Sequence, residues 1–192
     1  MDATAYTFRP ARPDDAAAVD AIDGSFTTRT VFEVEAREDG FAVREVAVDP
    51  PLTKVFPDDD PESDGGGVVE GGEGGDGGDG RRVFVAVGPD REIAGYVAVA
   101  HVPWNRRLVV EDIEVAPAHR GRGVGRGLMG CAVAFARERG AGHLWLEVST
   151  INAPAVHAYR RMGFALCGLD TTLYEGTASE GERALYMTMP CG

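Results

Sequence analysis

At 192 residues with 44% hydrophobic side chains, the chain can bury a sizeable core and is most simply one domain spanning residues 1–192. Its net charge of −12, with no basic stripe outside one loop, argues against nucleic acid as a partner. No apolar run approaches the ~20 residues of a membrane span, and the N-terminal MDATAYTFRP has neither the basic nor the apolar region of a signal peptide. A soluble cytoplasmic protein is therefore expected, with no membrane partner, as a monomer or homodimer.

Taken in order, Tyr6–Arg9 reads as a short strand, and Asp14 and Asp15 cap a run of helix formers that ends near Gly24. Val31–Val34 and Phe41–Val46 read as extended segments with a turn at Asp39-Gly40. Residues 57–80 hold nine acids and no base, which leaves only about −3 on the rest of the chain. Within them, residues 65–80 have ten glycines in sixteen positions and bury too little to offset their chain entropy. A flexible, acidic, glycine-rich loop at about 57–80 is expected, since a Ca²⁺-binding glycine–aspartate repeat would need a nonapeptide period that is missing.

Beyond that loop, Arg82–Val87 and Ile93–Ala100 form a hairpin over Gly88-Pro89-Asp90-Arg91. Leu108–Val115 is the next strand, alternating after Val110 with Ile113 and Val115 on one face and Asp112 and Glu114 on the other. From Gly123 the period becomes helical through Val124, Leu128, Cys131/Ala132 and Phe135, as far as Arg139, where Gly140 ends it. His143–Val148 is a strand, Asn152 and Pro154 open a helix that runs to Met162 before Gly163, and strands from Phe164 and over Ala184–Met189 complete a mixed α/β sandwich. Cys131, Cys167 and Cys191 show no CxxC or Cys/His spacing, so neither a disulfide framework nor a metal site is expected. A single lysine, Lys54, stands against eighteen arginines, a bias that suits a high-salt cytoplasm or GC-rich coding.

The chemistry concentrates between the central strand and its helix, at Arg120-Gly121-Arg122-Gly123-Val124-Gly125. A glycine-rich turn feeding a helix N-terminus offers unpaired N–H groups and the positive end of the helix dipole, and residues 117–126 add Arg120, Arg122 and Arg126 without an acid. This is a pyrophosphate site. There is no Gly-Lys-Ser/Thr of a Walker loop and no Gly-x-Gly-x-x-Gly of a dinucleotide fold.

What the loop does match is Arg/Gln-x-x-Gly-x-Gly/Ala, here Arg120-x-x-Gly123-x-Gly125, the acyl-CoA loop of the GNAT N-acetyltransferases. A second signature of that superfamily, Asn-x-x-Ala…Tyr-x-x-x-Gly-Phe, resembles Asn152 to Phe164, with Asn152 twenty-seven residues after Gly125. The resemblance covers most of the chain. It implies a mostly antiparallel sheet with a splayed central strand, flanked by helices, and acetyl-CoA as cosubstrate with no metal. It further implies that Ile113, Glu114 and Val115 offer backbone groups to pantetheine, that Arg120 to Gly125 supply the pyrophosphate amides, and that Asn152 gives a side-chain contact.

Acetyl transfer to an amine needs a base for the ammonium proton, stabilisation of the oxyanion and a proton for the thiolate. Tyr159 resembles the superfamily's general acid, although a phenol of pKa ~10 against a thiol of ~8.5 makes hydrogen bonding to the thiolate, or simple packing, the alternatives. Three carboxylates compete as base, because an acid in an apolar strand is costly unless paired or wet. Glu147 ranks first, in a context similar to the glutamate of the ribosomal-protein N-terminal acetyltransferases, followed by Glu111 and Asp112. Each could instead bind the acceptor's cation.

The runs Trp104-Asn105…Val110–Val115, Asp170–Tyr174 with Ala184-Leu185-Tyr186, and Asp23–Phe26 resemble the streptothricin acetyltransferases, which acetylate the β-lysine amine of that antibiotic. The resemblance implies an N-acetyltransferase acting on a small cationic amine. A peptide or protein Nα-acetyltransferase is the second reading, and a non-catalytic CoA-binding module the third, disfavoured by Tyr159 and Asn152.

Overall fold

Apolar periodicity and turn chemistry in this chain produce nine strands and three helices among residues 6–55 and 80–192, the part that the computed structural model describes. The expected loop at 57–80 lies outside the described residues apart from Gly80. The strands are β1 (Thr7–Pro10), β2 (Phe26–Arg37), β3 (Gly40–Lys54), β4 (Arg81–Val87), β5 (Ile93–Val102), β6 (Arg107–Val115), β7 (His143–Ser149), β8 (Ala165–Asp170) and β9 (Ala184–Pro190). The helices are α1 (Ala16–Asp20), α2 (Val124–Glu138) and α3 (Ala153–Met162). The class is mixed α/β, with a mostly antiparallel sheet of seven strands flanked by helices and β2–β3 as a separate ribbon.

The described residues fall into two compact units. The first comprises residues 6–24, 80–144 and 190–192. It carries antiparallel strands in the order β1-β4-β5-β6. β5 is buried along most of its length because α1 and α2 both contact it, which is why it reads as an unbroken apolar run rather than an alternating one. Val19 of α1 packs with Val85 and Tyr96. α2 contributes Val124, Leu128, Met129, Ala132, Phe135 and Ala136 to the core, the i, i+4 stripe expected from its sequence.

One irregularity in this unit shapes the site. Ala98 pairs with Asp112 and Val99 with Val110, so Glu111 is an extra residue on β6, a β-bulge. The bulge switches the apolar set from Leu108 and Val110 to Ile113 and Val115, and it turns Asp112 and Glu114 toward the face that Tyr96 occupies. The alternation visible in the sequence after Val110 begins here.

The second unit comprises Ser25–Val55 and Trp145–Met189. Its β2–β3 ribbon runs from Phe26↔Lys54 to Arg37↔Gly40, much longer than the extended segments read from sequence. Pairing is interrupted between Thr28 and Thr30, opposite Asp49-Pro50-Pro51, where prolines have no N–H to give. β8 and β9 pair antiparallel, and β9 lies between β8 and β7. Asn152 caps α3 through Oδ1, which accepts from the Ala155 N–H at 3.2 Å, and Gly163 closes it at φ 106°. Arg160 lies over the Phe32 ring at 5.1 Å, and His157 meets Glu45 at 2.9 Å, tying α3 to the ribbon.

Candidate active site

The glycine-rich loop lies in the first unit. β6 ends at Val115, and a 3-10 turn over Pro117–His119 leads to the loop. Both ring nitrogens of His119 are engaged in fixing that turn, Nδ1 by the Tyr6 hydroxyl at 3.1 Å and Nε2 by Glu92 at 3.5 Å. Arg120, read from sequence as part of the pyrophosphate loop, donates its side chain to two carbonyls, Val115 at 2.8 Å and Asp23 at 2.8 Å. It fastens the loop to the end of β6. Arg122 and Arg126 are exposed.

Gly121 and Gly123 adopt φ 74° and 87°, the left-handed region that other residues enter only at a cost. A Cβ at either would meet no atom within 4 Å, so both glycines border open space. The first helical bond of α2 is Gly127 N–H to the Gly123 carbonyl, 3.0 Å. The N–H groups before Gly127 have no carbonyl partner inside the helix, and no acid sits in the first turn to compete for them. The loop therefore fits a pyrophosphate on geometry and charge.

The three acids of β6 have different surroundings. Glu111, at the bulge, is exposed and pairs with Arg81 at 3.0 Å. Asp112 accepts the Tyr96 hydroxyl. Glu114 is partly buried against Gly24, and its pKa is pushed up to about 7 by burial first and by the neighbouring Asp112 second, against the opposing pull of Arg120. Burial and the same two acids hold the Tyr96 phenol well above its ordinary value. Ile113, Glu114 and Val115 stand opposite Val97, Tyr96 and Gly95 in the β5–β6 ladder, which occupies one edge of the strand's backbone groups.

In the second unit, Glu147 lies on the face of β7 opposite to Leu144, Leu146 and Val148, which are buried. Its carboxylate accepts the Tyr174 hydroxyl. Burial raises its pKa, the Tyr174 hydrogen bond opposes that, and Glu182 adds to it. Beside it on the same strand, Trp145 stacks on Tyr186 with centroids 4.9 Å apart. Tyr159 is half-buried on α3, its ring 5.7 Å from Phe164. The Asn152 carbonyl oxygen is committed to the cap, which leaves its amide nitrogen for any ligand contact.

Sequence reasoning passed over Tyr96 and Glu182 as site residues. It noted Tyr174 and Tyr186 only within a resemblance. The signal available for Tyr174 is local: Asp170 accepts from Thr172 N–H at 2.7 Å and Leu173 N–H at 3.1 Å, an Asx-type turn that starts the connection carrying the tyrosine.

A glycine-rich loop at a helix N-terminus, following a bulged strand, together with a capped Asn-to-Tyr helix, defines a class of protein. The chain belongs to the acetyltransferase (GNAT) family, whose profile matches residues 36–164, and it is an N-acetyltransferase. It is 64% identical over 186 residues to the streptothricin acetyltransferase of Streptomyces lavendulae, covering 97% of this chain and 95% of that one. Among solved structures it is similar to nourseothricin acetyltransferase, at 63% identity and TM-score 0.86 over 98% of this chain and all of that one. A Bacillus anthracis protein described as a putative streptothricin acetyltransferase, solved in complex with acetyl coenzyme A, shares the fold at TM-score 0.76 and 22% identity, over 98% and 99% of the two chains.

Proposed function

We propose that this enzyme transfers the acetyl group of acetyl-CoA to a primary amine of streptothricin and its close analogues, and so inactivates the antibiotic. One observation carries the acceptor assignment, the near-full-length likeness to a streptothricin acetyltransferase. The second unit is chemically consistent with it. Glu147 and Asp170, with Tyr186 between them in the fold and Trp145 packed on Tyr186, offer carboxylates and aromatic faces, the two groups that attract an ammonium.

Bound acetyl-CoA supplies an activated thioester carbonyl. The N–H groups at the start of α2, from Gly123 onward, bind its pyrophosphate, with Arg122 and Arg126 adding positive charge. Backbone groups of Ile113, Glu114 and Val115 hold the pantetheine arm, and the Asn152 amide adds a contact. Glu147 accepts the proton of the acceptor ammonium. The freed amine then forms the C–N bond as the C–S bond breaks, and Tyr159 donates its proton or a hydrogen bond to the departing sulfur. Burial raises the affinity of the Glu147 carboxylate for that proton, the direction a base near neutral pH requires. Glu111 is a weaker choice because Arg81 already neutralises it and it is exposed. Asp112 is engaged by Tyr96.

Thiol release from acetyl-CoA tests this with streptothricin, polyamines, free lysine and N-terminal peptides as acceptors. Streptothricin should give the highest kcat/KM, with a product one acetyl group heavier. Preference for N-terminal peptides would instead support the Nα-acetyltransferase reading.

A further inference from the structure

Two carboxylates of the second unit interact, and the fold treats them differently. Glu182 receives the Lys54 ammonium at 2.5 Å and the Ser149 hydroxyl, and Lys54 also reaches Ser179 at 2.9 Å. Glu147 has no cationic partner among the described residues. Its one hydrogen-bond donor is the Tyr174 hydroxyl. Tyr174 belongs to the connection between β8 and β9, and that connection is fastened at both ends. Asp170 holds its start through Thr172 and Leu173, while Lys54 clamps Ser179 and Glu182, and Arg183 N–H donates to Thr150 at 3.0 Å.

We propose that Tyr174 is a positioning residue for Glu147, holding its carboxylate ionised and oriented to take the acceptor's proton, and that Lys54 holds in place the connection that carries Tyr174. The proposal rests on the reading of Glu147 as the base. Hydrogen bonding to the ionised form offsets part of the cost of burying that charge. The groups facing Glu147 are Tyr174 and Glu182 from the connection and Tyr186 from β9, which itself meets Asp170 of β8. Burial and the two glutamates push the Tyr174 phenol well up, so Tyr174 keeps its proton across the working range and acts as a donor rather than a proton carrier. Lys54 neutralises Glu182, so the second carboxylate repels the charge on Glu147 less than an unpaired one would.

Tyr174→Phe removes one hydroxyl. In acetyl transfer to streptothricin the acid-side midpoint of kcat/KM should move to higher pH. Below that midpoint kcat/KM should fall roughly tenfold, the equivalent of one lost hydrogen bond to a charged group, while the high-pH plateau changes much less. A ¹³C NMR titration of the glutamate side chains, with no substrate present, should show the Glu147 midpoint moving the same way. Lys54→Gln should shift the profile in that direction and Lys54→Arg should restore it. Unmoved midpoints in Tyr174→Phe overturn the role of Tyr174, and an unmoved profile in Lys54→Gln overturns that of Lys54. Glu147→Gln separates the two readings. If it abolishes turnover while Tyr174→Phe matches the parent, Glu147 remains the base and only the present inference fails. If Glu147→Gln keeps the parent profile, both fail.

Discussion

Gly123 is where charge and strain at the proposed acetyl-CoA loop can be separated. It caps α2 at φ 87° and ψ 0°, and a Cβ there meets nothing within 4 Å, so a side chain would be strained but not blocked. Asparagine and aspartate tolerate the left-handed region better than other residues, at about 1 kcal/mol above glycine. That corresponds to a Tm loss of roughly 2–4 °C for a chain of this size. Gly123→Asn and Gly123→Asp share this cost and nearly the same shape. They differ by one negative charge at the N-terminus of α2, where the pyrophosphate is to bind. Two unit charges about 4 Å apart interact by ~1 kcal/mol in water and ~4 kcal/mol at the effective dielectric of a protein surface. Because the loop is exposed the lower end applies, and ~1 kcal/mol means that acetyl-CoA should bind Gly123→Asp roughly fivefold more weakly than Gly123→Asn. Calorimetry at about 0.1 M and about 1 M salt is the assay, since the Debye length shrinks from ~10 Å to ~3 Å and the gap should narrow with it. Equal affinities for the two folded variants at low salt would refute the assignment of the loop.

Tyr159→Phe should lower kcat by roughly 10²–10⁴-fold with acetyl-CoA affinity little changed, read from initial rates and calorimetry, and an unchanged kcat where chemistry limits the rate would leave Tyr159 as a packing residue. Leu128 is fully buried in α2, so Leu128→Ala should cost about 2–5 kcal/mol of stability in denaturant unfolding. Glu114 titrates at about 7 in the folded chain against 4.5 for the free group. The unfolded state therefore loses this proton first as pH rises, and stability falls between those two values and stays low above 7. Full burial would make that roughly 3 kcal/mol, and partial exposure reduces it to about 1–2 kcal/mol. Glu114→Gln should accordingly raise Tm at pH 8 more than at pH 5, measured without acetyl-CoA.

The loop and its helix were readable because their requirements are local. Glycines at positive φ, a helix start without acids and an apolar stripe at i, i+4 all lie within residues 120–139. α3 was readable for the same reason, with Asn152 and Gly163 marking its ends. The β2–β3 ribbon was underestimated because Thr27, Thr28 and Thr30 carry little apolar alternation and Asp49-Pro50-Pro51 reads as a breaker, whereas cross-strand pairing carries the ribbon past it. Glu111, Asp112 and Glu147 were ranked by local context, but their partners could not be read from spacing. Those partners, Arg81, Tyr96 and Tyr174, are 30, 16 and 27 positions away in sequence.

Lys54 also bears on how the protein withstands its own reagent. Acyl thioesters acylate unprotonated lysine amines without any catalyst, and an acetyltransferase works in their presence. This chain offers them a single lysine side chain, only 17% exposed and paired with Glu182 at 2.5 Å, while its eighteen arginines carry positive charge in a form such thioesters do not attack. An acetyl mark on Lys54, found by mass spectrometry, would therefore record moments when the Glu182 pairing had opened, and would then keep it open by removing the charge. Among side chains, amine-directed labels inherit the same selectivity, which makes Lys54 a built-in reporter of the connection between β8 and β9.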